Sequence, residues 1–267
     1  MSENDDRRAD KAANAAEKMT PAAREYLDKL FPDGAPVLTD DPEFSGRLCS
    51  FAFDEVVNHD DLDDCTRLTA ILAVLIGCQG IDAFGAALTA ALNAGVTPVE
   101  IRETVYQSVD YCGIGRVMPF IRAMSDAFAA RGIKSLPPQA TTTMENRLER
   151  GIRAQMDIFG ENMRDFWQSG PEETRHINRW LAENCFGDYY TRGGLDLKRR
   201  ELITFCFLAA QGGCEPQLTA HAAANLRLGN DKAFLTKIVS QCLPYIGYPR
   251  TLNALRCLGD AAKQSSK

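Results

Sequence analysis

Apolar residues recur at every third or fourth position along this chain, and neither half shows sustained strand-type alternation of apolar and polar residues. The spacing predicts four helices in each half, at 65–78, 82–94, 98–110 and 115–130, and at 198–211, 215–228, 231–243 and 249–262. Asp63 and Asp196 stand where the first helix of each half would be capped, and Gly95 and Gly229 stand where the second would end. We therefore predict an all-α protein.

The two halves of the chain resemble each other in sequence. Residues 53–72 align with 186–205, and after one inserted residue 95–122 aligns with 229–256. Matched pairs include Arg67 with Arg200, Gln107 with Gln241, Tyr111 with Tyr245, and Arg116 with Arg250. A repeat of this length indicates a tandem duplication, because solenoid units span only ~20–50 residues. We expect two similar halves packed about a pseudo-twofold axis.

The boundary between the halves is predicted in the stretch 134–143, where Pro137 and Pro138 cannot continue a helix. This divides the chain into a first repeat at 1–136, with an N-terminal helical extension, and a second repeat at 137–267. Trp167, Trp180, Phe159 and Phe166 lie at helical spacings and are predicted to be core residues. Tyr111 and Tyr245 are predicted to pack beside the ends of matched helices.

Charge and hydropathy narrow the function classes. The net charge of −6 argues against sequence-independent nucleic-acid binding, which requires a basic face. The apolar runs are shorter than the roughly 20 residues that span a bilayer, so no membrane partner is expected. The polar N-terminus lacks a signal-peptide core, and a cytoplasmic location is predicted.

Cysteine and histidine placement gives no support for a structural metal site. The nine cysteines form no C-x-x-C pair, and His59, His176 and His221 are far apart in the chain. We expect mostly reduced thiols and predict neither metal nor cofactor.

Candidate chemistry gathers in the second half, around the segment QGGCEPQLTAH. In an antiparallel hairpin, Glu201 on the first helix can face His221 on the second, and a carboxylate can fix the tautomer of an imidazole. Cys214, Gln217 and His221 are three and four residues apart, so they are expected to share one helical face. A thiol near a helix N-terminus can have a lowered pKa and act as a nucleophile or redox group. Spacing alone also allows a structural role, with His221 hydrogen-bonded in the core and Cys214 merely packed.

The first half lacks these polar residues. At the positions that align with Glu201, Cys214 and His221 it carries Leu68, then Gly80 or Ile81, then Ala87 or Leu88. If the fold required the polar residues, the first copy should need them too. The difference favours a functional site in the second half.

Residues 195–258, which begin LDLKRRELITFCFLAAQGGCEPQLTAH, resemble the carboxymuconolactone decarboxylase family, which has the alkylhydroperoxidase D-like all-helical fold. Residues 76–123 resemble a diverged second copy of the same domain. The combination of R-E-L, H-x8-G and PYIGYPRTLNAL carries the resemblance. It implies a tandem duplication of the helical domain, assembled as homo-oligomers that are often trimers or hexamers, and it implies acid/base roles for Glu201 and His221.

The resemblance also implies an alternative, because the alkylhydroperoxidase branch has a glutamate followed by C-x2-C-x3-H. Here Cys214 and His221 match that pattern, but Gln217 replaces the second thiol, so this segment cannot form the local disulfide of a dithiol cycle. Cys112, Cys206 and Cys242 are the candidates to resolve Cys214 across the fold.

Three functions follow from this reading. The first is cofactor-free decarboxylation, or related proton transfer, on a small carboxylated lactone or enol acid. His221 would donate the proton, Glu201 would orient it, and Arg250 or Arg116 would hold a carboxylate, with Gln217 as a further substrate contact. Arg116 and Arg250 suit a symmetric structural interface equally well. The others are a thiol peroxidase that uses Cys214, and a non-catalytic helical oligomer that binds a small molecule or a protein.

Overall fold

The computed structural model describes residues 18–36, 39 and 41–265, and this part of the chain contains helices and no strands. In the first half, α1 to α6 span Pro21–Leu30, Pro42–Ser50, Asp64–Gly77, Ile81–Asn93, Pro98–Cys112 and Ile114–Ala130. In the second half, α7 to α11 span Arg147–Phe159, Arg175–Trp180, Leu197–Gln211, Glu215–Arg227 and Lys232–Ser265. The all-α prediction is confirmed. The polar segment at residues 1–17, used to predict a cytoplasmic location, lies outside the described residues.

Aspartate side chains cap the N-termini of corresponding helices, α3 and α9, in the two halves. Asp63 caps α3 by accepting a hydrogen bond from the Thr66 amide at 2.9 Å, and Asp196 caps α9 through the Arg199 amide at 2.8 Å. An N-cap carboxylate satisfies an amide that the helix itself leaves unpaired. The predicted helix starts therefore lie within one residue of the observed ones.

The last two predicted helices are joined in the structure. α11 runs from Lys232 to Ser265, but Gly247 interrupts it with a φ of 76° and a ψ of 165°. The same break separates α5 from α6 in the first half, where Gly113 has a φ of 78° and a ψ of 146°. A positive φ of this kind is costly for residues with a side chain, which explains why both repeats carry glycine here.

Short π-helical segments precede the central hairpin in each half. The first, Phe51–Glu55, follows α2, and the second, Leu181–Tyr190, continues α8. The second segment packs against α7, where Gly151 and Gly187 allow close backbone approach. A Cβ at Gly151 would lie 1.8 Å from the Ala182 carbonyl oxygen, so no larger residue fits. This packing fixes the end of the segment, which carries Tyr190.

Reciprocal contacts between the halves establish the pseudo-twofold relationship. The Arg67 Nε donates to Gln241 Oε1 at 2.9 Å, and the Arg200 Nη1 donates to Gln107 Oε1 at 2.7 Å. The two arginines align with each other in sequence, and so do the two glutamines. The same contact therefore occurs twice, once in each direction between the halves. The axis passes between α3 and α9, where Gly77 packs on the Phe207 backbone. The tandem duplication predicted from the sequence is confirmed, whereas the boundary at residues 136 and 137 stays a prediction.

The hydrophobic core crosses this axis, since one cluster combines buried residues of α3 to α6 with those of α9 to α11. The prediction that Trp180 is a core residue is wrong, because its side chain is 55% exposed on the outer face of the short helix α8. Trp167 and Phe166 are only half-buried. Their spacing matched a helix, but α8 has just six residues and buries none of them. Within the described residues, no helix combines the length and the apolar character needed to cross a membrane.

Candidate functional site

Glu201 and His221 meet in the interior of the second repeat. Glu201 lies on α9 and is fully buried, and its Oε2 is 2.7 Å from Nδ1 of His221 on α10. The His221 side chain retains 11% of its surface. The antiparallel hairpin therefore brings the pair together, as the spacing suggested.

The contact selects a tautomer for the imidazole. When the Glu201 carboxylate is ionised its oxygens can only accept, so Nδ1 of His221 then carries the hydrogen and donates it to Glu201. Within the described residues, Nε2 of His221 has no hydrogen bond from or to another protein group. Nε2 is therefore the nitrogen at which this ring can exchange a proton with a bound molecule.

A chain of buried hydrogen bonds ends on Glu201. Arg200 donates to Gln107, the Gln107 amide donates to Thr204 Oγ1 at 2.9 Å, and Tyr190 lies 2.7 Å from Thr204. The Tyr190 hydroxyl then donates to Oε1 of Glu201 at 2.8 Å. Every link has a donor and an acceptor, so the fully buried carboxylate keeps two hydrogen bonds, from Tyr190 and from His221.

Backbone and aromatic contacts hold the ring in place. Asn225 Nδ2 donates to the main-chain carbonyls of Glu201 and His221, each at 2.8 Å, and so joins α10 to α9 beside the pair. The rings of Tyr111 and Phe159 meet the imidazole edge-on, with centroids 5.6 and 5.3 Å away. Tyr111 belongs to the first repeat, so both halves build this site.

A second buried polar group continues from Tyr111 towards the first repeat. The Tyr111 hydroxyl lies 2.8 Å from that of Tyr190, and the Cys185 thiol donates to Tyr111 at 3.8 Å. Asp110 is next to Cys185, and one of its carboxylate oxygens is buried without a partner. Burial raises the pKa of Asp110 to about 7, because the charged form loses solvation that one thiol cannot replace.

Cys214 does not have the environment predicted for a reactive thiol. It occupies the N-cap position of α10, where its Sγ donates to the Leu208 carbonyl at 3.5 Å. Burial, followed by Glu215 and Cys257, raises the pKa of the Cys214 thiol, and Arg250 only partly opposes this. The expectation of a lowered pKa is therefore wrong: desolvation and a neighbouring carboxylate outweigh the helix N-terminus.

The remaining predicted contacts, Gln217, Arg116 and Arg250, are less buried than the Glu201 and His221 pair. Gln217 is exposed and Cys214 is half-buried, whereas His221 is buried; that the three share one helical face stays a prediction. Arg116 is exposed, and Arg250 donates to the Ala210 carbonyl at the end of α9.

The thiols proposed to resolve Cys214 differ in their surroundings. Cys206 and Cys242 are both buried, and hydrogen bonding to Cys206 raises the pKa of Cys242. Burial raises the pKa of Cys112 to about 11; Arg116 opposes this shift, and the Cys214 thiol adds to it. All nine cysteines are free thiols.

Sequence reasoning missed Tyr190, Thr204 and Asn225, and it assigned Tyr111 to packing alone. The signal was present, because Tyr190 aligns with Val57 and Thr204 with Ile71 in the matched segments 186–205 and 53–72. The comparison between the two halves, which singled out Glu201, thus also shows that Tyr190 and Thr204 replace apolar residues of the first half. The structure was required to show that Tyr190 donates to the Glu201 carboxylate, that Thr204 contacts Tyr190, and that Asn225 donates to the Glu201 main-chain carbonyl.

Comparisons with known proteins agree with this architecture. The model of the carboxymuconolactone decarboxylase family matches the chain twice, at residues 42–126 and 176–260. A 4-carboxymuconolactone decarboxylase from Acinetobacter baylyi is 25% identical over 127 residues, which cover 45% of this chain and 89% of that protein.

A solved structure extends the agreement to the fold. It is a protein from Burkholderia xenovorans LB400, provisionally assigned as a gamma-carboxymuconolactone decarboxylase subunit, and it matches with a TM-score of 0.53 and 22% identity. The match covers 92% of this chain and 99% of that one. With two matches of the family model across most of the chain, the protein belongs to the carboxymuconolactone decarboxylase family.

Proposed function

We propose that this protein is a decarboxylase-like enzyme in which His221 and Glu201 transfer a proton to a carbanionic intermediate. The observation that carries the proposal is the 2.7 Å contact between a fully buried carboxylate and an imidazole whose second nitrogen has no protein partner in the described chain. General acid/base catalysis requires a group within hydrogen-bond reach of the reacting atom, and histidine titrates near neutral pH.

The proposed reaction is the loss of carbon dioxide from a small carboxylated lactone or enol acid. The bond between carbon and the carboxylate breaks, and its electron pair moves into the conjugated carbonyl as an enolate. Nε2–H of His221 protonates the carbon as the enolate collapses, and the imidazole regains its proton from solvent. Glu201 keeps the ring oriented through Nδ1 and stabilises the charged imidazolium, so no redox step is required.

The substrate class rests on the relative from Acinetobacter baylyi, which is a 4-carboxymuconolactone decarboxylase. We extend only the class to this chain: a small ring that carries its carboxylate on a saturated carbon next to the π system of a lactone carbonyl, so that the electron pair of the broken bond can enter that carbonyl. Arg250 is the proposed carboxylate contact, because it lies beside the connection between α9 and α10. Exposed Arg116 and Gln217 stay weaker predictions for the same role.

The thiol-peroxidase alternative receives less support. A peroxidatic cysteine reacts as the thiolate, and burial raises the pKa of Cys214. The non-catalytic alternative does not account for a directional chain of buried hydrogen bonds that ends on Glu201. A trimeric or hexameric assembly remains a proposal, which light scattering of the purified protein tests.

The experiment is turnover of 4-carboxymuconolactone in deuterated buffer, followed by the release of carbon dioxide and by mass spectrometry of the product. We expect one deuterium at the protonated carbon and a fall of about 100-fold in kcat/KM for Glu201→Gln, which keeps the shape but not the charge. Wild-type protein that releases no carbon dioxide from this or related carboxylated lactones would contradict the proposal.

A further inference from the structure

A cavity of about 760 Å³ lies in the first repeat, between α1, α2 and the hairpin of α3 and α4. Its inner wall is formed by Leu30, Leu68, Ile71 and Leu75, each at most 4% exposed, so the space reaches into the core. Pockets for small molecules commonly enclose roughly 300–1,000 Å³. The volume is therefore that of a ligand site rather than of a packing defect.

The cavity occupies the place that corresponds to the Glu201 and His221 site of the second repeat. Three of its lining residues align with residues of that site: Leu68 with Glu201, Ile71 with Thr204, and Tyr245 with Tyr111. Ala87, one of the two candidates for the position of His221, lines it as well. Tyr245 comes from the second repeat, as Tyr111 comes from the first. The first repeat thus keeps the location of the site and loses its polar groups.

Small residues explain why this space is open. Ala83, Ala86, Ala87 and Ala90 of α4 all line the cavity, and their spacing of three, one and three residues places them on one helical face. In the second repeat the corresponding region contains an imidazole against two aromatic rings. Replacing that imidazole by a methyl group leaves volume that the neighbouring side chains do not reclaim.

The lining selects the chemistry of the occupant. Among the described lining residues, charged side chains are confined to Arg24, Asp28 and Asp82, which are all exposed and form the mouth. The polar Ser45 hydroxyl inside already donates to the Thr39 carbonyl at 3.3 Å. A charged ligand would lose its hydration in this interior without meeting an oppositely charged side chain, since the polar groups of the described inner lining, the Tyr245 hydroxyl among them, are neutral, whereas an apolar ligand gains from burial.

We propose that the first repeat is a binding site for a small, uncharged, apolar molecule, held in the cavity between Leu68 and the alanine face of α4. The assignment goes beyond decarboxylation, because the lining residues that the structure describes include no acid/base pair like Glu201 and His221. It also does not depend on that activity, so binding here and turnover in the second repeat can fail separately.

The test is a fluorescence titration of the full chain with N-phenyl-1-naphthylamine, a neutral probe that brightens in apolar surroundings. We expect saturable binding of one probe per chain. 8-Anilino-1-naphthalenesulfonate has the same ring systems with an added sulfonate, and it should bind about tenfold more weakly or worse. Equal or tighter binding of the sulfonate would overturn the assigned ligand class.

Cavity-filling variants locate the bound probe. Ala87→Phe should weaken binding of the neutral probe by about tenfold, while Ala220→Phe, at an exposed alanine on the corresponding helix of the second repeat, should leave it unchanged. If Ala87→Phe does not fold by circular dichroism, Ala83→Leu at the cavity mouth should weaken binding by a few fold. Unsaturable binding to wild type, or folded variants that bind like wild type, would overturn the proposal.

Discussion

At the residue scale, the candidate site depends on groups that touch Glu201 rather than on reactive residues alone. Tyr190 donates to Glu201 at 2.8 Å and is itself buried, with its hydroxyl also within 2.8 Å of Thr204 and Tyr111. One hydroxyl thus holds the carboxylate and joins three elements. Its removal leaves buried oxygens without partners, which costs about 1–3 kcal/mol.

The Tyr190→Phe variant should therefore lose about 1–3 kcal/mol of unfolding free energy and about tenfold in kcat/KM, measured by urea denaturation and initial rates. Tyr189→Phe is the matched control, because Tyr189 is half-buried and makes no side-chain hydrogen bond in the described chain. A Tyr190→Phe protein with wild-type stability and rate would show that the hydrogen bond to Glu201 is dispensable.

Asp110 makes stability depend on pH in an unusual direction. Its folded pKa of about 7 exceeds the ordinary value of 3.8, so the unfolded chain loses this proton first as the pH rises. The contribution of Asp110 to the unfolding free energy is therefore most favourable below about pH 4, declines as the pH rises, and is least favourable above about pH 7. The total penalty is roughly 2–4 kcal/mol, allowing for the partial exposure of the residue.

The Asp110→Asn variant should remove this dependence. Compared with wild type by urea unfolding, it should gain roughly 2–4 kcal/mol in relative stability between pH 4 and pH 7.5. The exposed Asp126→Asn serves as the control. A difference between Asp110→Asn and wild type that is constant across this range would contradict the raised pKa.

At the element scale, α3 and α9 approach closely because one contact position is glycine. A Cβ at Gly77 would lie 2.7 Å from the Phe207 carbonyl oxygen and 2.8 Å from Ala210 Cβ, so the helices would have to separate. Gly85 on the neighbouring helix α4 has open space around its Cβ position. Alanine substitutions at Gly77 and Gly85 therefore distinguish the cost of a steric clash from the gain in helix propensity.

Gly77→Ala should lower the unfolding free energy by about 1–3 kcal/mol through overpacking, although alanine favours helix. Gly85→Ala should raise it by about 0.5–1 kcal/mol, because only the gain in propensity applies. Thermal and urea unfolding of both variants measure the difference. Equal effects of the two substitutions would show that the separation of α3 and α9 is not set by Gly77.

The sequence was most informative for elements and least informative for contacts. Helix starts followed from Asp63 and Asp196, because a cap acts within a few residues of its own position. The pairing of Glu201 with His221 followed from hairpin geometry. The raised pKa of Cys214 did not follow from the sequence, because it results from burial, from Glu215 and from Cys257, which is distant in sequence. The prediction that Trp180 is a core residue was wrong for a related reason, because helical spacing does not specify which face of a helix meets the core.

At the scale of the whole molecule, the repeats have divided their roles while remaining one structural unit. Arg67 with Gln241 and Arg200 with Gln107 cross the axis reciprocally, but only Gln107 continues to the site, through Thr204. Substituting Gln241 should therefore affect stability alone, whereas substituting Gln107 should affect both stability and function.

Gln107→Leu and Gln241→Leu should each cost about 2–4 kcal/mol, since each leaves a buried arginine without its amide partner. Only Gln107→Leu should also lower kcat/KM, by about tenfold, when the rates are measured at a temperature where both variants are folded. Equal kinetic losses in the two variants would contradict a specific path from Gln107 to Glu201.

The most direct test of the central claim compares His221→Gln with Cys214→Ser in decarboxylation of a carboxylated lactone that the wild type turns over. The account predicts that His221→Gln lowers kcat/KM by about 100-fold or more with wild-type circular dichroism, and that Cys214→Ser stays within about threefold of wild type. A folded His221→Gln protein with near wild-type activity, or loss of activity in Cys214→Ser, would contradict it.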